Sequence, residues 1–291
     1  MSPVIANYIP KKGEKVSKKK KVSRQTILQF LMSQNCTSAY DGLVYNQVSP
    51  EYAKIATEEI VVQLFRNYDW KVIGCGQQVT RRNWEKYNDT KNVSYRNEID
   101  KKQRMAKHYV LFQSIHDDMR PYRVLLINGH KGNTAAKLYC GVISEDSDIY
   151  GVQFKELIAF ESIRHTHENA DNLKDIVAGF AASITDSVNH IAPMLKEKKL
   201  TKTEFEMHLI AIADLPKKPI IKATDMTHHF YNTKQDVWGY TYRNLLTFCT
   251  DTLVNLFVRT RRVASITALH QQAQVALKIR QYVLEVLAQH T

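Results

Sequence analysis

The chain has no cysteine pair at redox or metal-binding spacing. Cys36, Cys75, Cys140 and Cys249 lie far apart in 291 residues, with no C-x-x-C among them. That argues against a disulfide scaffold and reads as buried thiols in a reducing compartment. No apolar run approaches the roughly 18 residues of a membrane span. The N-terminus lacks the apolar core of a secretory signal, so the expected location is cytoplasmic or nuclear. There is no G-x-x-x-x-G-K-[ST] phosphate loop, no G-x-G-x-x-G turn and no G-x-S-x-G elbow. The chain is also short of acids, with Asp+Glu at 29 against 41 for Lys+Arg.

That shortage leaves a formal charge of +12. A basic excess favours a polyanionic partner, nucleic acid before a membrane surface, because no basic amphipathic helix accompanies the lysine run. Hydrophobic content of 44% and 24% charged residues suit a globular chain. The charge is concentrated at the start. Within residues 1–24, eight cations, including Lys18, Lys19, Lys20 and Lys21, face Glu14 alone. Such a run cannot offset its ordering entropy, so a disordered arm is expected, serving solubility, phosphate contact or nuclear import.

The chain is organised around Pro121 to Ile143. Two apolar runs, Tyr122–Ile127 and Ala135–Ile143, flank a polar segment that holds Asn128-Gly129 and Gly132-Asn133. Asn-Gly tolerates positive φ, so the stretch reads as a β-hairpin with an exposed basic tip at His130 and Lys131. Lys137, and Arg123 at the strand start, would complete a cationic group near that tip.

Other elements follow from periodicity. Ser49-Pro50-Glu51 reads as a helix start, continued by Ala53, Ala56, Ile60 and Leu64. Trp70–Val79 reads as a strand bulged at Gly74-Cys75-Gly76, and Tyr109–Phe112 as another. Tyr150–Ile163 is open between strands and a short helix. Ile176, Phe180, Ile184, Val188, Ile191 and Leu195 mark a long amphipathic helix with Pro193 near its end. Thr201-x-x-Glu204 is a capping box, and two more helices are expected over 236–258 and 264–288. The expected fold class is α+β: an N-terminal antiparallel β-sheet with helices, then a mostly helical C-terminal part. The expected organisation is a basic arm over 1–24, an α+β domain over 25–165 and a helical region packed on it over 166–291.

Residues 81–107 interleave cations with aromatics. Arg81 and Arg82 beside Trp84 and Tyr87 suit single-stranded nucleic acid, since bases stack while cations meet phosphates. A solvated loop with its aromatics against the core is the plainer reading. Arg259, Arg261 and Arg262 sit between two helices and read equally as phosphate contacts or a solvated face. A metal-dependent enzyme would instead draw on His165, His167, Asp117 and Asp118, with His228-His229 as a further pair. Zinc needs ligands beyond one histidine pair, and no acidic pattern completes either set. No cofactor is expected, and catalytic residues are not assigned.

Asn128-Gly129-His130-Lys131-Gly132-Asn133-Thr134-Ala135-Ala136 resembles the N-S-H-D-G-T-S-A segment of the domain-of-unknown-function family 932 of phage and plasmid proteins. Arg164-His165-Thr166 resembles its R-H-T element, and Asn232-Thr233, Trp238 and Asn244 its late N-T…W…N helix. Lys131 stands where the family carries an acid. The resemblance runs from about residue 50 to the C-terminus and implies a mobile-element origin, hence a host cytoplasm. A second likeness, the helix over 51–67 followed by Trp70 and a β-meander, resembles phage single-strand annealing proteins. The expected function is single-stranded DNA binding or annealing in replication or recombination, with possible self-association. The alternatives are a metal-dependent nuclease or DNA-modifying enzyme, and an inhibitor of a host defence complex.

Overall fold

The computed structural model describes residues 29, 31–33, 36–40, 42, 44, 48–78, 104–130, 134–144, 153–216, 221–233, 239–261 and 266–290. After a short helix α1 (Thr37–Tyr40) and helix α2 (Thr57–Tyr68), five strands follow. They are β1 (Trp70–Gln77), β2 (His108–Ser114), β3 (Tyr122–Asn128), β4 (Ala136–Ser144) and β5 (Gln153–Ile163). Each pairs antiparallel with the next, so the sheet is a simple meander in sequence order. The expected α+β class is the one observed.

Helices then run α3 (His167–Asp171), α4 (Leu173–Asp186), a π-helical turn (Ser187–Ile191) and α5 (Ala192–Glu197). They continue with α6 (Lys202–Ala213), α7 (Ala223–Thr233), α8 (Tyr242–Arg261) and α9 (Ile266–Gln289). The single long helix expected from Ile176 to Leu195 is thus widened at Ser187, just before Pro193, which cannot donate a backbone bond. The capping box forms as read: Thr201 Oγ1 accepts from Glu204 N–H, and the Glu204 carboxylate accepts from Thr201 N–H.

Both faces of the sheet are covered. Val110, Phe112, Val124, Leu126 and Leu138 pack against α2 and α4 through Ile60, Leu64, Val177 and Phe180. On the other face, Leu111, Leu125, Ile127, Tyr139 and Leu157 meet the first half of α9 through Ile266, Leu269 and Ala273. The second half of α9 enters a separate helical core with α6, α7 and α8, built on Phe205, Phe230, Leu246 and Ile279. The helical C-terminal part therefore does more than rest on the sheet: α4 and α9 supply its two covers.

An ion pair with one buried partner ties sheet to helices. Glu156 of β5 lies 3.8 Å from Arg243 of α8, and burial raises its carboxyl above the ordinary value despite Arg243 and Arg280. Arg280 donates to Ser187 Oγ at 3.2 Å, and that hydroxyl donates to Ile158 O at 2.8 Å. The π-helical turn thereby carries the joint.

Two irregularities shape the strands. The β1–β2 register shifts between Val72 and Gly74, so the glycine-rich stretch is bulged as the sequence suggested. The β4–β5 register shifts at Cys140/Gly141, where a Cβ on Gly141 would sit 1.9 Å from Glu156 O. Gly141→Ala must therefore push two central strands apart. It is expected to destabilise the fold by roughly 2 kcal/mol or more, within the range of backbone-strain substitutions. A urea midpoint equal to the parent's would contradict this placement.

One helix start differs from expectation. Ser49–Tyr52 forms a turn, with Tyr52 N–H donating to Ser49 O, and 53–56 are not helical; Tyr52 is bridged to Thr166 and Ala53 N–H donates to His165 O at 3.0 Å. Pairing with the segment after β5 overrides the Ser-Pro-Glu helix signal and delays α2 to Thr57. The tertiary contact supplies the backbone bonds that a first helical turn would leave unmade.

Candidate functional site

The β3–β4 turn, the end of β5 and the start of α2 meet at one end of the sheet. His108 faces Asn128 across the β2–β3 ladder, and both are fully buried on the α2 side. Thr57 is the first residue of α2. His165 follows β5, and His130 follows β3; they are 7% and 1% exposed. The ring of His130 lies 5.7 Å from that of His108 and 5.7 Å from that of His165. Gly42 closes over it, and a Cβ there would meet the imidazole at 2.4 Å.

The hydrogen bonds fix the tautomer of His165 and the orientation of the Asn128 amide. Ile55 N–H can only donate, so His165 Nδ1, at 3.1 Å, is the acceptor. Neutral His165 then carries its proton on Nε2 and donates to Asn128 Oδ1 at 2.9 Å. The same oxygen accepts from Gly129 N–H at 2.7 Å. Asn128 Nδ2 consequently donates to Ile55 O at 3.2 Å and Thr57 Oγ1 at 2.9 Å. Thr57 has its own proton left, which goes to His108 Nε2 at 2.6 Å. His108 Nδ1–H completes the chain at Ala106 O, 3.3 Å away. Every nitrogen of His108 and His165 is used, and the bond from Ile55 N–H requires His165 to be neutral.

Burial enforces that neutrality. Desolvation lowers His108 from 6.5 to about 4, against the Ala106 bond that raises it. Desolvation lowers His130 to about 3, helped by His108, His165 and Lys54. His165 is lowered in the same way. Buried His130 Nδ1 has no partner among the described residues.

Two clefts open on either side of the turn and share Thr134 and Ala135 as a wall. On the α2 side, a cleft of about 300 Å³ is bounded by Glu51, Tyr52, Arg164 and Thr166. The Tyr52 ring stacks on His165 at 5.0 Å with planes 9° apart. On the α9 side, a smaller cleft of about 90 Å³ is bounded by Lys107, Lys137 and His270. Lys137 Nζ lies 3.2 Å from His270 Nε2, and His270 Nδ1 lies 2.9 Å from the Tyr139 hydroxyl. Desolvation and then Lys107 lower the Lys137 ammonium. Desolvation, Lys137 and Lys107 hold His270 at about 4.

Comparison with protein-family models, with curated proteins and with solved structures found no match for this chain. Its chemistry has to be read from the site alone. What the site offers is a neutral, hydrogen-bonded interior and a rim whose Lys107, Lys137, Glu51 and Arg164 form no ion pair among the described residues. Among the described residues, no group of three or more His, Cys, Asp and Glu is placed to hold a metal ion.

The residues singled out from the sequence scatter. Lys18, Lys19, Lys20, Lys21, Arg81, Arg82, Trp84, Tyr87, Lys131 and Arg262 lie outside the described residues. Arg259 and Arg261 occupy the last turn of α8. Lys137 is at the turn, pairing with Ile127, but Arg123 pairs with Gly141 at the other end of β3 and joins no tip cluster. His130 is buried, not an exposed tip residue, because Gly42 and the α2 entrance cover it. Asn128 is the last residue of β3 and Gly129 is outside the left-handed region, so Asn128-Gly129 is not the turn itself. The asparagine is there for its amide.

The four residues proposed for a metal site are split. His165 is locked in the network, while His167 is exposed at the start of α3. Asp117 and Asp118 are exposed in the β2–β3 turn, at the opposite end of the sheet, with Asp117 3.7 Å from Arg120. His228 and His229 lie on α7 away from both, and His228 contacts Asn232 at 2.9 Å. Lys107 closes the basic segment 81–107 that the sequence marks for phosphate contact, but Thr57, His108 and Tyr52 were not legible as site residues. No local pattern marks them; a period-2 reading of β2 could at most have placed His108 inward with Val110 and Phe112.

Proposed function

We propose that this protein binds nucleic acid, single-stranded DNA foremost, across the end of the sheet that carries the β3–β4 turn. The observation that carries the reading is the pair Lys107 and Lys137. They line the same small cleft, where burial and then the Lys107 charge lower the Lys137 ammonium, and neither has a carboxylate partner among the described residues. His270 beside them is neutral near pH 7 and supplies no counter-charge. Two ammonium groups held together in a half-buried cleft repel one another, and an anion between them removes that cost. A phosphate of a nucleic-acid backbone fits the need, and the +12 charge of the chain draws such a polymer in. Annealing or strand protection follows as the role of a backbone-binding surface with no assigned catalytic group.

The test is a titration of labelled single-stranded and duplex oligonucleotides across a range of salt, with the parent and with Lys107→Gln/Lys137→Gln. The double variant is expected to lose affinity at least about tenfold at low salt. Its salt dependence should flatten by roughly 0.7 in log–log slope for each lost contact on a single strand. Parent-like affinity and slope in the variant would remove the proposal.

A further inference from the structure

We infer that the larger cleft, on the α2 side of the same turn, receives one unstacked base of the bound strand. This rests on the nucleic-acid reading above but concerns different residues. Arg164 and Glu51 bound the same cleft, yet among the described residues they form no ion pair with each other or with another side chain. A cleft meant for phosphate would exclude a carboxylate, since the two repel. A neutral base is different, because its edge carries both N–H donors and oxygen or nitrogen acceptors. Glu51 can accept from the first and Arg164 can donate to the second. The Ser49 and Thr166 hydroxyls each accept one backbone N–H and keep a proton that can be donated into the cleft.

The aromatic wall supports the same occupant. Tyr52 is stacked flat on His165, and His165 is pinned by Ile55 N–H and Asn128 Oδ1. The tyrosine is thereby backed by a ring that cannot swing, which is the preorganised platform that base stacking uses. The cleft's volume of about 300 Å³ is at the lower end for small-molecule sites and admits one nucleobase rather than several.

The position of the two clefts gives the geometry of the strand. Thr134 and Ala135 wall both, with Lys107 and Lys137 on one side and Arg164 and Tyr52 on the other. A single strand crossing this ridge keeps its phosphates on the lysine side and turns one base over the ridge into the arginine side. A duplex cannot do so without losing a pair, so the cleft also gives a reason for single-strand preference.

The experiment uses the full chain and a single-stranded oligonucleotide carrying 4-thiothymidine, photocrosslinked and mapped by mass spectrometry, alongside Arg164→Ala. Arg164 is exposed, so its removal leaves the fold intact. Expected are crosslinks in the segments around Tyr52 and 164–166. Arg164→Ala should lower affinity about three- to tenfold at every salt concentration, with the salt slope unchanged, because a base contact releases no counterion. Binding by Arg164→Ala with parent affinity, or crosslinks confined to the lysine side, overturns the base-cleft assignment and leaves the nucleic-acid reading standing. A parent protein that binds no oligonucleotide at low salt overturns both.

Discussion

Asn128→Ala is expected to destabilise the protein by about 4 kcal/mol or more, far beyond the typical substitution. The amide makes four bonds, to Ile55 O, Thr57 Oγ1, Gly129 N–H and His165 Nε2. Removing it leaves a ring N–H, a backbone N–H and a backbone carbonyl buried without partners, each at a cost of roughly 1–3 kcal/mol. Water entering the space would recover a part. Asn128→Asp is the sharper probe, since its shape is nearly unchanged. It turns the Nδ2 donor into an acceptor facing Ile55 O and places charge where Asn128 is fully buried. It should be as damaging as the alanine variant at neutral pH and less so in acid, where the carboxyl regains a proton to donate. Urea unfolding at two pH values decides it; an aspartate variant as stable as the parent at pH 7.5 would show that the amide does not organise this end of the sheet.

The second large effect is acid lability below about pH 6.5. His108, His130, His165 and His270 are all neutral in the fold because burial opposes their charging. In the unfolded chain each takes a proton near its ordinary value of 6.5. Above that value both states are neutral and nothing is lost. As pH falls below 6.5 the unfolded state binds more protons than the fold, so stability falls, for His108 and His270 down to about 4 and for His130 down to about 3. For His108 alone, the depression from 6.5 to about 4 corresponds to roughly 3 kcal/mol. Glu156 works in the opposite sense, since its raised carboxyl takes up a proton in the fold first, but it is one group against four. A charged His165 would also lose the Ile55 N–H bond, because Nδ1 could no longer accept. The expected result is a urea midpoint that is flat from pH 8 to 7 and drops steeply between 6.5 and 4. A midpoint as high at pH 5 as at pH 7.5 would refute the neutral network.

Both effects arise at a place that the linear chain disguises. Asn128-Gly129 carries the marks of a turn, yet Asn128 is a strand residue and its amide is an interior part. His130 next to it looks like a tip residue and is buried. The sequence marks Asn128-Gly129-His130 and Arg164-His165 only as separate local segments, and the fold brings Asn128, His130 and His165 together. Local pattern could not supply Thr57 or His108, which complete the network from elements with no motif of their own. The unalternated run Val124-Leu125-Leu126-Ile127 was also a signal, since a strand covered on both faces needs apolar residues at every position.

The sequence by itself determined the elements whose cause is local. The bulged β1, the strands flanking the turn, the Thr201–Glu204 capping box and the amphipathic helices all rest on residues within a few positions of one another. Strand pleat, helical period and capping act over that range, so their pattern survives in the linear chain. Tertiary structure alone decided that α9 covers the second face of the sheet, that 53–56 does not join α2, and that Arg123 is far from Lys137. It also decided the site, because Ile55 and His165 bond across 110 positions and Thr57 and His108 across 51. A histidine's tautomer and charge are set by what surrounds it, and those surroundings exist only once the sheet end has closed.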